Sequence, residues 1–180
     1  NVDALTTIDE YLGRSDWRVN ANANQGYSLG GMILNVAGKM IANYWLEKCY
    51  QPEASVAHRS GALHIHDLDM FSGYCAGWSL RRLLEEGFNG VPGAIASCPP
   101  KHFSSASGQI VNFLGTLQNE WAGAQAFSSF DTYMAPFVRL DSMTYEEIRQ
   151  NMQELIFNLN VPSRWGSHCP FTNLTIDWTC

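Results

Sequence analysis

The sequence predicts an α/β fold in which short parallel strands are separated by helical excursions, and three observations carry that prediction. Stretches with apolar residues three and four apart dominate the 180 residues. Two short β-capable runs, residues 62–67 and 170–177, interrupt them. Both runs are set among helices, and strand-to-helix succession is the pattern that builds parallel sheets.

Taken in order, Leu5, Ile8 and Leu12 give a short amphipathic helix over residues 2–13, stopped by Gly13. Residues 15–25, rich in Asn and Ala, read as loop. From Ser28 to about Tyr50 the positions Leu29, Met32, Ile33, Val36, Met40, Ile41, Tyr44 and Trp45 recur at helical spacing. Gly30, Gly31 and Gly38 weaken that helix by about 1 kcal/mol each relative to Ala unless close packing needs them. Pro52 suits a first turn and opens a short helix that ends at Gly61. Residues 62–67 alternate around Ile65 and read as a strand. Leu80, Leu83 and Leu84 build a brief helix closed by Gly87, and residues 87–100 carry turn signals throughout.

Residues 102–122 read as a helix with Ile110, Val111, Leu114 and Leu117 on one side, its small residues from Ser104 to Gly108 admitting a close neighbour. A further helix is expected over residues 124–138, bent before Pro136. Thr144 and Glu147 form a capping box for a helix carrying Ile148, Met152, Leu155, Ile156 and Leu159, which Val161-Pro162 stops. Residues 170–177 make the second strand, with Phe171, Leu174 and Ile176 apolar. Two strands do not make a sheet, so its remainder is expected beyond Cys180.

Hydrophobic residues make up 46% of the chain and charged residues 16%, a globular composition whose low charged share hints at a surface covered by something else. The length suits one domain with a substantial core. A net charge of -6 argues against a general nucleic-acid binder, which needs a basic stripe to neutralise phosphates; nucleotide monomers stay open as partners. No apolar run is long enough to span a membrane and no signal peptide is evident, so a cytoplasmic protein without a membrane partner is expected. The five cysteines, Cys49, Cys75, Cys98, Cys169 and Cys180, include no C-x-x-C pair and suggest neither a disulfide framework nor a zinc knuckle. The chain opens at Asn1 without a methionine and stops at Cys180 directly after a strand, which predicts a piece of a longer protein.

Chemistry is expected where residues 62–69 lead to Cys75. On a strand, His64 and His66 point to one face, and such a pair is one way to hold a metal; equally, one imidazole packs while the other bonds a neighbouring backbone. Asp67 and Asp69 cap the next turn of chain or orient a histidine. Cys75 stands among Ser72, Gly73, Ala76 and Gly77, small neighbours that let a ligand approach, although a free thiol also serves as core. Cys49 reads as core, Cys98 as loop, and Cys169 lies at the mouth of the second strand. Arg164 can grip a phosphate or carboxylate with two bonds or stack on Trp165 at the surface. The amide-rich residues from Gln118 to Gln125 suit either a polar helix contact or a ligand pocket.

Several runs together carry a resemblance. Asn22-Ala23-Asn24-Gln25-Gly26-Tyr27-Ser28, His64-Ile65-His66-Asp67-Leu68-Asp69 with Tyr74-Cys75, Gln118-Asn119-Glu120-Trp121-Ala122-Gly123-Ala124-Gln125-Ala126-Phe127, and Leu159-Asn160-Val161-Pro162-Ser163-Arg164-Trp165-Gly166 with Pro170-Phe171-Thr172-Asn173 resemble the anaerobic (class III) ribonucleoside-triphosphate reductases, in one order over nearly the whole chain. Several runs in register are far more specific than a lone motif. The resemblance implies a helix-rich partial segment of a ten-stranded α/β barrel, with residues 1–180 forming a single partial domain from the N-terminal portion of the catalytic barrel. The family's N-terminal ATP-cone and C-terminal glycyl-radical and zinc region are expected outside this chain.

The implied activity is anaerobic reduction of ribonucleoside triphosphates to 2′-deoxyribonucleoside triphosphates by a glycyl-radical enzyme. In that family a finger-loop thiyl abstracts the ribose 3′ hydrogen, and a first-strand thiol helps remove the 2′ hydroxyl. Cys75 matches that first-strand thiol and is the expected catalytic residue. His66, Asp67, Tyr74 and Arg164 are expected at the substrate, and Cys169 is a candidate second redox thiol facing Cys75. No metal ligand is expected in this chain. The implied cofactors are the glycyl radical, generated by an activase with S-adenosylmethionine and a 4Fe-4S cluster, ATP and deoxynucleotide effectors, and the structural zinc of the C-terminal region. The implied partners are the ribonucleoside triphosphate, the radical-SAM activating enzyme, the remainder of the reductase and a second copy in a homodimer. Alone, such a piece is expected to be inactive. Two other readings stand beside this one: a metal-dependent hydrolase using His64 and His66, and a non-catalytic assembly or effector-binding piece whose helices over residues 28–50 and 102–138 form a dimer surface.

Overall fold

The computed structural model describes residues 2–16, 19, 27–88, 93, 96–163 and 168–179. The chain divides into two compact units, Asn1–Gly73 with Pro162–His168, and Tyr74–Val161 with Cys169–Cys180.

The first unit is helical. Helix α1 (Ala4–Leu12) starts where the Asp3 side chain accepts from the Thr6 amide and stops at Gly13. Helix α2 (Leu29–Tyr44) begins at Ser28, whose Oγ accepts from the Gly31 N–H at 2.9 Å, and runs on into a π-helical turn over Trp45–Cys49. The Tyr11 hydroxyl ties the two helices together, donating to the Ser28 carbonyl at 3.1 Å and accepting from the Ser28 N–H at 3.0 Å. Gly38 is required by packing: a Cβ there would lie 2.8 Å from the Cβ of Asp69. Close approach therefore offsets the helix cost of this glycine. Helix α3 (Pro52–Ser60) has its proline in the first turn and Gly61 after its end, as the sequence predicts. The expected loop over residues 15–25 lies mostly outside the described residues.

The strand expected over residues 62–67 does not form, and this stretch is irregular. Its backbone donors go back to α3 instead of to a ladder: Leu63 N–H reaches the Ala57 carbonyl at 3.1 Å and Ile65 N–H reaches His58 Nδ1 at 3.1 Å. Asp67 then takes a left-handed φ of 55°, which an extended strand does not allow. Alternation alone favoured a strand, but with no ladder to join among the described residues, the segment satisfies its donors locally.

The second unit holds β1 (Ala76–Trp78), α4 (Leu80–Glu86), α5 (Phe103–Leu117), β2 (Gln125–Phe127), α6 (Phe130–Leu140), α7 (Tyr145–Leu159) and β3 (Thr172–Leu174). The three strands form one parallel sheet in the order β1-β2-β3, with Ala76, Gln125 and Thr172 in register. Helices separate successive strands, which is the α/β arrangement the sequence predicts. Only β3 falls within an expected strand, residues 170–177; β1 forms where no strand was expected, and β2 lies inside the stretch expected to be helical from Ala124. Bonds on both flanks hold it extended: Ala76 N–H to the Ala124 carbonyl at 3.1 Å on one side, Gln125 N–H to the Phe171 carbonyl at 2.9 Å on the other. Helix α5 accordingly ends at Leu117 instead of continuing to residue 122.

The core of this unit gathers Leu80 and Leu83 of α4, Ile110 and Leu114 of α5, Phe127, Met134 of α6, and Leu155 of α7. Helix α5 packs on α7, and the small residues Ala106 and Ser107 are buried. Helix α7 carries the expected capping box of Thr144 and Glu147. Helix α6 continues through Pro136, and its N-terminus is held from a distance: Phe130 N–H donates to the Thr175 carbonyl at 2.8 Å and Ser129 Oγ to Asp177 Oδ1 at 3.1 Å. Among the described residues no helix is long and apolar enough to cross a membrane.

Candidate active site

Cys75 is the residue immediately before β1, on the N-terminal edge of the parallel sheet. Its neighbours Tyr74 and Ala76 are laddered to the segment entering β2: Gly123 N–H donates to the Tyr74 carbonyl at 2.5 Å and Ala76 N–H to the Ala124 carbonyl at 3.1 Å. The thiol is exposed, as is the Tyr74 side chain. Behind it, the buried Gln125 accepts from the Trp78 indole N–H at 2.8 Å, and its Nε2 points to the Leu114 carbonyl at 3.5 Å. The amide-rich run thus supplies a polar structural contact between strand and helix. Trp78 also meets Phe113 and Trp121 edge-on, with ring centroids 5.3 and 5.8 Å away. Trp78 and Gln125 thus join β1 to β2 a few residues along the strands from the exposed thiol.

Cys169 belongs to the same unit and donates its Sγ hydrogen to the Asn160 carbonyl at 2.8 Å, just past the end of α7. It leads into β3 while Cys75 leads into β1, and β2 runs between those two strands. His66 and Asp67 belong to the first unit, where His66 Nδ1 lies 2.8 Å from Asp67 Oδ2. An ionised carboxylate only accepts, so this bond places the ring proton on Nδ1. His64 lies beside His58, ring centroids 5.8 Å apart. Without a strand, the argument that set His64 and His66 on one face no longer applies. Arg164, and Trp165 beside it, lie outside the described residues. Cys49, expected in the core, is exposed at the end of the π-helical turn; Cys98 is exposed in its loop.

The first unit contains an open cleft of about 590 Å³ bordered by Asp3, Glu10, Lys39, Asn43 and Arg59. Its cations are engaged: Lys39 pairs with Glu10 and Asp16 at 3.1 and 2.9 Å, and Arg59 with Glu47 at 2.6 Å. Among the described residues no group of three or more His, Cys, Asp and Glu side chains is placed to hold a metal ion. The nearness of Gly123 to Cys75 is not something the sequence announces through any motif. The available signal is only a glycine between the two helices expected over residues 102–122 and 124–138, which reads as a break and does not announce a close approach.

Comparison with known proteins places this geometry. The chain is 26% identical over 155 residues to the anaerobic ribonucleoside-triphosphate reductase of Escherichia coli, covering 82% of this chain and 20% of that protein. It is 26% identical over 143 residues to the reductase of the same name from Salmonella typhimurium, covering 76% of this chain and 19% of that one. The chain thus spans about one fifth of the length of these curated relatives. In fold it resembles the anaerobic ribonucleotide reductase of Thermotoga maritima in complex with dATP and CTP, with a TM-score of 0.70 at 21% identity over 95% of this chain and 32% of that one. A second solved anaerobic ribonucleotide reductase superposes with a TM-score of 0.73 at 22% identity over 96% of this chain and 30% of its own. The model of the anaerobic ribonucleoside-triphosphate reductase family matches residues 21–180, and the chain belongs to that family.

Proposed function

We propose that this chain supplies the first-strand thiol of a reductase that converts ribonucleoside triphosphates to 2′-deoxyribonucleoside triphosphates. The observation that carries the reading is the family match over residues 21–180, within which Cys75 heads the first strand of a parallel sheet. Chemistry supports the same residue. Removing the 2′ hydroxyl as water requires a proton for the leaving oxygen and a group that can be oxidised, and a thiol offers both. An exposed sulfur on a strand entry bonded to its neighbour through Tyr74 and Ala76 can meet a ribose at a set distance, which is where much of the rate of such a step originates.

In this reading residues 1–180 form an early portion of the catalytic barrel, and Tyr74 contributes to the substrate side of the site. The roles of His66, Asp67 and Arg164 rest on the resemblance and on closeness in sequence. Cys169 is proposed as a second redox thiol. A disulfide joins Cα atoms about 4.4–6.8 Å apart, less than the two strand spacings, about 9–10 Å, between β1 and β3, so pairing with Cys75 would need the segment before β3 to move. The glycyl radical, its S-adenosylmethionine and iron–sulfur activase, the structural zinc, the ATP and dNTP effectors and the homodimer come from the family resemblance, whereas the cytoplasmic setting comes from the sequence, which shows neither a membrane-spanning run nor a signal peptide. When the radical is formed, it supplies the oxidising equivalent that starts the chemistry.

The test is Cys75→Ser in the intact protein that carries these residues, with turnover and the radical measured separately. Deoxyribonucleotide formation is expected to vanish while the glycyl radical still forms by electron paramagnetic resonance. Turnover at the parental rate would remove Cys75 from this role.

A further inference from the structure

The run from Asn119 to Gln125 reaches past its structural duty to Trp78. Gly123 lies against Cys75, held there by its own N–H bond to the Tyr74 carbonyl at 2.5 Å and by the adjoining Ala76–Ala124 bond at 3.1 Å. A Cβ on Gly123 would fall 2.8 Å from Cys75 Sγ, 2.8 Å from the Tyr74 carbonyl oxygen and 2.9 Å from Tyr74 Cε2. Carbon atoms do not approach side chains or backbone that closely without something shifting. The sulfur is a single bond from its own Cβ and the carbonyl is backbone, so neither is the loose end of a long side chain.

Gly123 is not among the glycines with positive φ, which among the described residues are Gly61, Gly87 and Gly93. Its backbone conformation therefore does not demand glycine; the space beside the thiol does. Gly77 offers the contrast. It lies on the other side of Ala76 from Cys75, and a Cβ there would meet nothing within 4 Å. The contacts flanking Gly123 hold it in place, since Trp121 before it meets Trp78 edge-on with centroids 5.8 Å apart and Gln125 after it accepts from the same indole at 2.8 Å.

We propose that Gly123 is a positioning residue for Cys75: its missing side chain leaves the space beside which the exposed Cys75 sulfur rests, and any Cβ there drives the thiol into another rotamer or pushes the entry of β1 away from β2. The importance of this for turnover rests on the proposed role of Cys75, whereas the seating of the sulfur does not.

The experiment compares Gly123→Ala with Gly77→Ala in the intact protein. Alkylation of Cys75 by iodoacetamide is followed by peptide mass spectrometry, with Cys98 of the same molecules as internal reference. Deoxyribonucleotide formation is measured alongside. Gly123→Ala is expected to change the Cys75-to-Cys98 rate ratio several-fold and to lower kcat by up to about a hundredfold with KM within about twofold, the pattern of a misplaced reacting group. Gly77→Ala is expected to leave the ratio as it was. An unchanged ratio in Gly123→Ala overturns the proposal whatever the turnover. A changed ratio with parental turnover upholds the seating and overturns instead the catalytic role of Cys75.

A thermal-unfolding cycle with Cys75→Ala covers the case of a poorly folding variant. Gly123→Ala is expected to lose less stability where Cys75 is already alanine, because the sulfur contact is then gone. An equal loss in both backgrounds, including failure to fold in both, overturns the proposal.

Discussion

Asp141 joins the start of one helix to the end of another: its Oδ2 accepts from the Phe103 N–H at 2.8 Å, and its Oδ1 lies 2.8 Å from His102 Nδ1, which must carry the proton. The Phe103 N–H above all, and then His102, hold the Asp141 carboxyl below its ordinary value. Because the folded state favours the ionised form, this stabilisation is fully present above the unfolded-state pKa, about 3.9, and is lost as pH falls through the depressed folded value. Asp141→Asn should therefore lower stability at neutral pH, and the gap to the parent should close in acid. Circular dichroism melts at pH 7 and pH 3 check this, and a gap that is the same at both would exclude the ionised carboxylate as its source. The same scale governs the site, where a single missing methyl group at Gly123 decides where a sulfur can rest.

At the scale of elements, each helix start has its own physical origin. The Thr144–Glu147 box is written into four consecutive residues, and the structure forms both of its bonds, Glu147 N–H to Thr144 Oγ1 at 3.3 Å and Thr144 N–H to Glu147 Oε2 at 2.7 Å. Thr144→Ala is expected to cost about 1 kcal/mol while Thr144→Ser costs only a fraction of that. Hydrogen exchange of the first-turn amides of α7 reads this directly, and equal protection in all three proteins would remove the cap as a stabilising feature. Helix α6 differs, because Thr175 and Asp177, far along the chain, hold its N-terminus. No local pattern announces such a cap. The strands show the same division: residues 62–67 alternate and are not a strand, while Gln125–Phe127 lacks a strand signature and is the central one.

At the scale of the whole molecule, the second unit depends on a core in which Leu114 and Ile110 of α5 are fully buried among Leu80, Phe127 and Leu155. Leu114→Ala should cost about 2–5 kcal/mol through lost burial and a residual cavity. Urea unfolding followed by tryptophan emission measures it, and a loss below about 1 kcal/mol would mean that the site collapses around the gap. The sequence by itself determined the helices apart from the end of α5 and the start of α6, the stops at Gly13 and Gly61, the capping box and the α/β succession, because each depends on neighbours within one or two turns. The family resemblance was legible for a related reason, since its motifs are contiguous runs, and it drew attention to Cys75. Only the tertiary structure decided which short segments pair as strands, because a strand is defined by partners distant in sequence that supply its hydrogen bonds. It also decided that His64 and His66 share no strand and that Gly123 lies against the thiol. That last contact depends on space rather than backbone conformation, and space beside a side chain exists only once the chain has folded.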